Sequence, residues 1–265
     1  MSNPVFNRDP MFNGRGAVVA QTVDAATLEE MYARPAATPR ETGRMTYDDV
    51  IVRTAGMLAV LVVAAAVTWL LAPQLYVVGA IGGFVLALVN SFKKEPSPVL
   101  MIAYAVLEGV FVGGLSAILS AWVEIQTGAS GIVTQAVLAT MATFAVSLWL
   151  YRSGRVRVTP KFTRWLMIAL LGYLAFSLVN LVLSFFVTSG DFGPLRSGTL
   201  GIVAGLVAVG LAAAALISDF DAVKRGVEAG VPRTYAWTGA FGLTVTLVWL
   251  YVEFLRLLAI FASDR

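Results

Sequence analysis

The chain contains no cysteine and no histidine. Without cysteine there is no disulfide, no thiolate nucleophile and no zinc–thiolate site. Without histidine, Ser–His and Cys–His catalysis and imidazole-held metals are excluded as well. Any pH sensing near neutrality then falls to carboxylates, because the side chain that ordinarily titrates there is missing. Charge is also scarce: 13% of residues are charged and 58% hydrophobic, whereas soluble domains carry about 25% charged residues. So few charges cannot cover a water-facing surface. The net charge of +3 and pI near 9.3 would suit a nucleic-acid partner in a soluble protein. Here the cations sit in loops on one side of a membrane, and no nucleic acid is expected.

What is present is long apolar runs. A hydrocarbon core about 30 Å thick needs roughly 20 apolar residues per helix. Seven segments meet that need, at 51–72, 75–92, 99–122, 131–151, 163–188, 199–218 and 236–261. Proline and glycine mark the junctions, as at Pro73, Pro96, Pro98, Gly128, Pro160, Gly193, Pro194, Gly230 and Pro232. The fold class predicted is an all-α integral membrane protein of seven transmembrane helices over residues 49–265. Residues 1–48 are polar, hold no run of signal-peptide type, and read as a disordered cytoplasmic tail with a short helix near Ala25–Tyr32.

The cations fix an orientation. Arg34, Arg40, Arg44 and Arg53 precede or open the first span, and the others cluster in alternate loops. These are Lys93 and Lys94, then Arg152, Arg155, Arg157, Lys161 and Arg164, then Lys224, Arg225 and Arg233. The intervening loops hold only Arg196. The positive-inside rule puts the N-terminus in the cytoplasm and, with seven spans, the C-terminus outside. Trp69, Tyr76, Trp122, Tyr151, Trp165, Tyr235 and Trp237 fall near span ends, where aromatic anchors belong. Ala105, Gly109 and Gly113 in the third span, and Gly201 and Gly205 in the sixth, repeat every four residues and predict close helix packing.

An ionisable group in mid-bilayer costs at least about 2.5–3.5 kcal/mol and is kept where it lines a cavity or finds a partner. Four such groups stand out: Glu108, Asp219, Glu253 and Arg256, with Asp221 just beyond Asp219. Asp219 and Asp221 are two apart and do not share a helical face. Asp219 is expected to point inward, since Asp221 precedes the basic pair Lys224–Arg225. Gly239, Gly242, Thr246, Glu253 and Arg256 form a polar stripe on the seventh span, in which Glu253 and Arg256 are spaced to pair. Carboxylates of this kind suit hard cations such as Ca²⁺ or a proton relay, and do not by themselves separate a channel from an exchanger or a structural protein.

The last third of the chain carries more specific patterns. The sixth span ends Ile217-Ser218-Asp219-Phe220-Asp221-Ala222-Val223, followed by Glu228-Ala229-Gly230 and Tyr235-Ala236-Trp237. The seventh runs Leu247-Val248-Trp249-Leu250-Tyr251-Val252-Glu253-Phe254-Leu255-Arg256. This resembles the Bax inhibitor-1 family (YccA, transmembrane Bax-inhibitor-motif), in its bacterial branch. The resemblance implies a bundle whose last helix is central, and a pH-sensitive calcium leak whose sensor is a pair of aspartates on the last two helices. Asp219 matches the first aspartate. The second falls at Thr246 here, so the carboxylate pair is not intact, and either Glu253 or Glu108 would have to replace it.

The expectation is therefore a Ca²⁺ leak channel. Asp219 and Asp221 are its sensor and gate, Glu108, Glu253 and Thr246 line the pathway, and Arg256 makes a structural ion pair. A proton-coupled transporter and a membrane protein modulating a protease or stress response are the alternatives. Partners expected are lipid, Ca²⁺ or H⁺ and membrane proteins. No enzyme activity is expected, and no cofactor beyond transient Ca²⁺.

Overall fold

The computed structural model describes residues 42–187 and 192–263. Seven long helices follow one another: α1 Tyr47–Leu71, α2 Tyr76–Phe92, α3 Pro98–Thr127, α4 Ile132–Arg152, α5 Pro160–Ser184, α6 Gly198–Glu228 and α7 Ala236–Ser263. Each is long and apolar enough to cross a membrane, α2 together with the short 3₁₀ turn Pro73–Leu75 that precedes it. The protein is a multi-pass integral membrane protein. The helix ends follow local chemistry. Thr46 and Asp49 form a reciprocal capping box at the start of α1. Pro98 and Pro160 stand in the first turns of α3 and α5, where their missing N–H costs nothing. Gly128 closes α3 in the left-handed conformation.

The last helix is the axis of the bundle. α1, α3, α4 and α6 pack directly on α7, while α2 leans on α3 and α5 on α6. The outer helices turn large side chains such as Val62, Phe84, Leu138, Ile168 and Leu178 outward, as lipid-facing surfaces require. Small residues set the closest seams. A Cβ on Gly109 would meet Leu61 O, and one on Gly113 would land on the backbone of Ala65. The small-residue repeat of α3 is thus what lets α1 approach. Gly79 serves the α2–α3 seam in the same way, lying against Phe111 N and Leu107 O.

Three helices run well past the spans read from hydropathy. α6 continues from residue 218 to Glu228, so Asp219 does not close the helix but lies about 14 Å inside it by helical rise. The extension is amphipathic and is supported by the (i, i+4) pairs Arg225–Asp221 and Lys224–Glu228. Likewise α3 reaches Thr127 and α1 begins at Tyr47.

Residues 1–41 of the expected tail, with Ala25–Tyr32, lie outside the described residues. Its last residues are ordered. Met45 N donates to Val231 O at 2.8 Å, Arg233 N donates to Gly43 O at 2.9 Å, and Arg44 pairs with Pro232 in an antiparallel bridge. Residues 43–46 form a strap across the α6–α7 turn. Asp49 fastens it by accepting from Arg233 Nε at 2.7 Å, and Arg53 donates to Arg233 O at 2.9 Å.

Candidate functional site

The intramembrane polar residues fall into three separate environments. The first is the α6–α7 seam. Thr246 Oγ1 donates to Asp219 Oδ2 at 2.7 Å, sharing its one proton with Gly242 O of its own helix, 3.1 Å away. Among the described residues Asp219 has no other hydrogen-bond partner and no cationic partner. Its carboxylate faces a cavity of about 370 Å³ lined by α6, α7 and the strap. Met45, Gly226, Val231 and Tyr235 line it together with Asp219 and Gly242. On the α7 side Thr238 lines the cavity beside Gly239 and Gly242, and a Cβ on Gly242 would meet nothing within 4 Å. The adjoining Asp221 is turned away. It pairs with Arg225 and accepts from Tyr151 of α4 at 3.3 Å. The two aspartates thus meet different helices, Asp219 the hydroxyl of Thr246 on α7 and Asp221 that of Tyr151 on α4, so the expectation that only one of them points into the bundle does not describe the structure.

The second environment lies further along α7. Glu253 pairs with Arg256, as their spacing suggested, and also with Arg196 from the α5–α6 loop at 2.5 Å. It accepts from Tyr173 of α5 at 2.6 Å and from Trp249 at 3.4 Å. Arg256 donates onward to Arg196 O at 3.3 Å and Gly201 O at 3.5 Å, at the start of α6. Glu253 is only 3% exposed, and two guanidiniums compensate its charge. This network ties α5, α6 and α7 together. It does not replace a second carboxylate beside Asp219, because Thr246 and Glu253 are about 10 Å apart along α7 by helical rise.

The third is Glu108 on α3, which lies against α2. A Cβ on Gly83 would stand 2.5 Å from Glu108 Oε2, so the glycine makes the room its side chain occupies. Glu108 has no hydrogen bond or ion pair among the described residues, and neither it nor Glu253 lines the cavity that Asp219 faces. No cluster of three or more acidic side chains that could hold a metal occurs among the described residues.

Sequence reasoning missed Met45, Tyr173, Arg196 and Thr238, the last a lining residue of the Asp219 cavity. Three of them carry no signal: a methionine before a helix, a tyrosine in an apolar span and a threonine near a turn are ordinary. Arg196 did carry one, as the exception to the alternation of basic loops. A cation on the sparse side of a membrane protein is a candidate for a buried partner.

A last helix on which four others pack directly, with a carboxylate at the α6–α7 seam, defines a polytopic membrane protein of the seven-helix class built around its last span. A family model described as Bax inhibitor 1 like matches residues 3–263. The chain therefore belongs to the Bax inhibitor 1 like family. No curated protein matches it.

Proposed function

We propose that the protein is a pH-sensitive cation leak channel that passes Ca²⁺, with Asp219 as sensor and Thr246 as its latch on the central helix. The observation that carries this reading is the lone carboxylate of Asp219, which faces a cavity, has no cation beside it, and is tied to α7 by one hydroxyl. By the positive-inside rule the cavity opens to the cytoplasm. In a bacterial cell the membrane would be the plasma membrane. On this reading the conformation is the closed one, which the burial of Leu247 and Leu250 beyond Thr246 and the ion pairs of Glu253 support.

The chemistry of the latch gives the pH response a sign. A hydroxyl donates more strongly to a carboxylate anion than to a neutral carboxyl group, by roughly a factor of two. Protonation of Asp219 therefore loosens α6 from α7, and the leak rises as pH falls. The other charged and titratable groups near the cavity are engaged or peripheral. Asp221 is held by Arg225 and Tyr151, Asp49 by Arg233, and Tyr235 stands at the rim. A passing ion must bind weakly enough to leave, and one carboxylate among apolar walls meets that condition for Ca²⁺.

The test is Ca²⁺ flux through the purified chain in liposomes, stepped in pH. The expected result is a leak that grows on acidification. In Asp219→Asn, whose side chain cannot titrate, the leak should be present and flat with pH. An Asp219→Asn variant with the wild-type pH response overturns the sensor role. A wild-type protein with no flux at any pH overturns the channel and leaves the interaction-protein reading.

A further inference from the structure

The Asp219 cavity has an occupant chemistry of its own. Its walls are mainly hydrocarbon, from Met45, Ala222, Val223 and Val231, and they hold a single carboxylate, that of Asp219. The cations around the mouth are engaged elsewhere. Arg233 pairs with Asp49, Arg225 with Asp221 and Lys224 with Glu228, Arg53 lies over Trp237, and Arg44, beside Gly230, is not among the residues that line the cavity. Asp219 is therefore a negative charge whose counter-ion the described residues do not supply. Ca²⁺ takes six to eight oxygen ligands at full coordination, and this cavity offers one carboxylate and the hydroxyls of Thr238 and Tyr235 near its mouth. An organic ammonium needs far less. Its N–H donors require only a few acceptors, and its alkyl part gains by leaving water for an apolar wall. The volume of about 370 Å³ lies in the range of small-molecule sites, which pair apolar linings with a few placed polar groups.

We propose that this cavity binds a small primary alkylammonium ion, with the charged head on Asp219 and the alkyl chain along Met45, Val223 and Val231. Bound there, the ligand occupies the inner mouth and blocks passage of inorganic cations. The strap is part of the site: Met45 supplies one wall and is held in place by the pairing of residues 43–46 with the turn at 231–233.

The blocking role rests on the leak-channel reading; the binding does not. The experiment therefore measures binding directly, with full-length protein in lipid nanodiscs titrated with n-hexylammonium chloride and, in parallel, with n-hexanol and CaCl₂. Thermal unfolding and calorimetry are the readouts. The expected result is saturable binding of one hexylammonium per chain, with a raised unfolding temperature, at concentrations where hexanol and Ca²⁺ give neither. Asp219→Asn should weaken it by at least about ten-fold, the loss of one charge-assisted contact. Gly242→Val puts a side chain into open cavity space and should abolish it, while Glu95→Gln, an exposed carboxylate between α2 and α3 that does not line the cavity, should leave it unchanged. Equal binding to wild type and Gly242→Val overturns the proposal even where Asp219→Asn does not fold. Hexanol binding as well as hexylammonium, or Ca²⁺ acting at lower concentration than the amine, overturns it too. Binding without any Ca²⁺ leak keeps the site and removes the channel; a leak without binding does the reverse.

Discussion

Arg196 and Glu253 meet at 2.5 Å, joining a loop between α5 and α6 to the buried side of α7, 57 residues later in the chain. Arg196 is 19% exposed and Glu253 3%, so most of the pair is out of water. Together with Arg256 and Tyr173 it is the main polar tie between the outer helices α5 and α6 and the axis of the bundle.

Removing the shared acceptor should be costly. Glu253→Gln keeps the shape and leaves two guanidiniums without an anion. Breaking a buried ion pair by deleting one partner costs about 3–5 kcal/mol. Arg196→Gln should cost less, because Arg256 still holds Glu253. In the double variant the two effects should not add, since the residues share one network. Reversible unfolding in mixed micelles measures all three. Additive effects would show that the pair is not an energetic unit.

The latch makes a prediction separable from the sensor. Thr246→Val keeps the branched shape and removes the donor to Asp219. The expected cost is about 1–3 kcal/mol, the usual price of an unsatisfied buried polar group. The Ca²⁺ leak should be raised at neutral pH and respond less to acidification. Thr246→Ser retains the hydroxyl and should restore both. A Thr246→Val protein with wild-type flux and pH profile would disconnect the hydroxyl from gating.

The small-residue seams predict opposite outcomes for the same substitution. Gly113→Ala places a methyl group on the Ala65 backbone and should destabilise by about 1–3 kcal/mol, as overpacking does. Gly56→Ala meets nothing within 4 Å and sits inside α1, where alanine is favoured over glycine by roughly 0.5–1 kcal/mol. It should be neutral or stabilising. Thermal unfolding of the two variants side by side decides the matter, and equal shifts would contradict the α1–α3 approach.

The strap can be tested with a thiol, because the chain has none of its own. Met45 is 4% exposed, so a lone Met45→Cys variant should react slowly with a water-soluble maleimide. Adding Arg233→Gln removes the Asp49 fastening. Labelling should then speed up by about an order of magnitude, as loss of roughly 1.4 kcal/mol of closing free energy would give. An unchanged rate would mean that the backbone pairing alone holds the strap.

How far the sequence could be read varies with the kind of force involved. The seven spans were legible because burying helices in hydrocarbon demands runs of a fixed length, and that demand is written one residue at a time. The Glu253–Arg256 pair was legible because helical spacing is local. The helical spacing also put Asp219 and Asp221 on different faces of α6, and they meet α7 and α4 respectively. The length of α6 was not legible, because hydropathy stops at the first charges whereas the helix continues on (i, i+4) pairing beyond them. The three intramembrane acids looked like one pathway in the sequence. In the structure they are divided among a cavity, an ion-pair network and a helix seam.

The amino-acid order alone thus determined that this is a helical membrane protein of seven spans, and which few polar groups lie within them. Those properties follow from solvation, which acts on each segment separately. Only the tertiary structure decided that Asp219 keeps an open cavity and a single hydroxyl partner, that Arg196 reaches Glu253, and that residues 43–46 close over the α6–α7 turn. Each of these joins parts of the chain far apart in sequence. Which of them meet is set by how the helices pack around α7, and no local pattern encodes that.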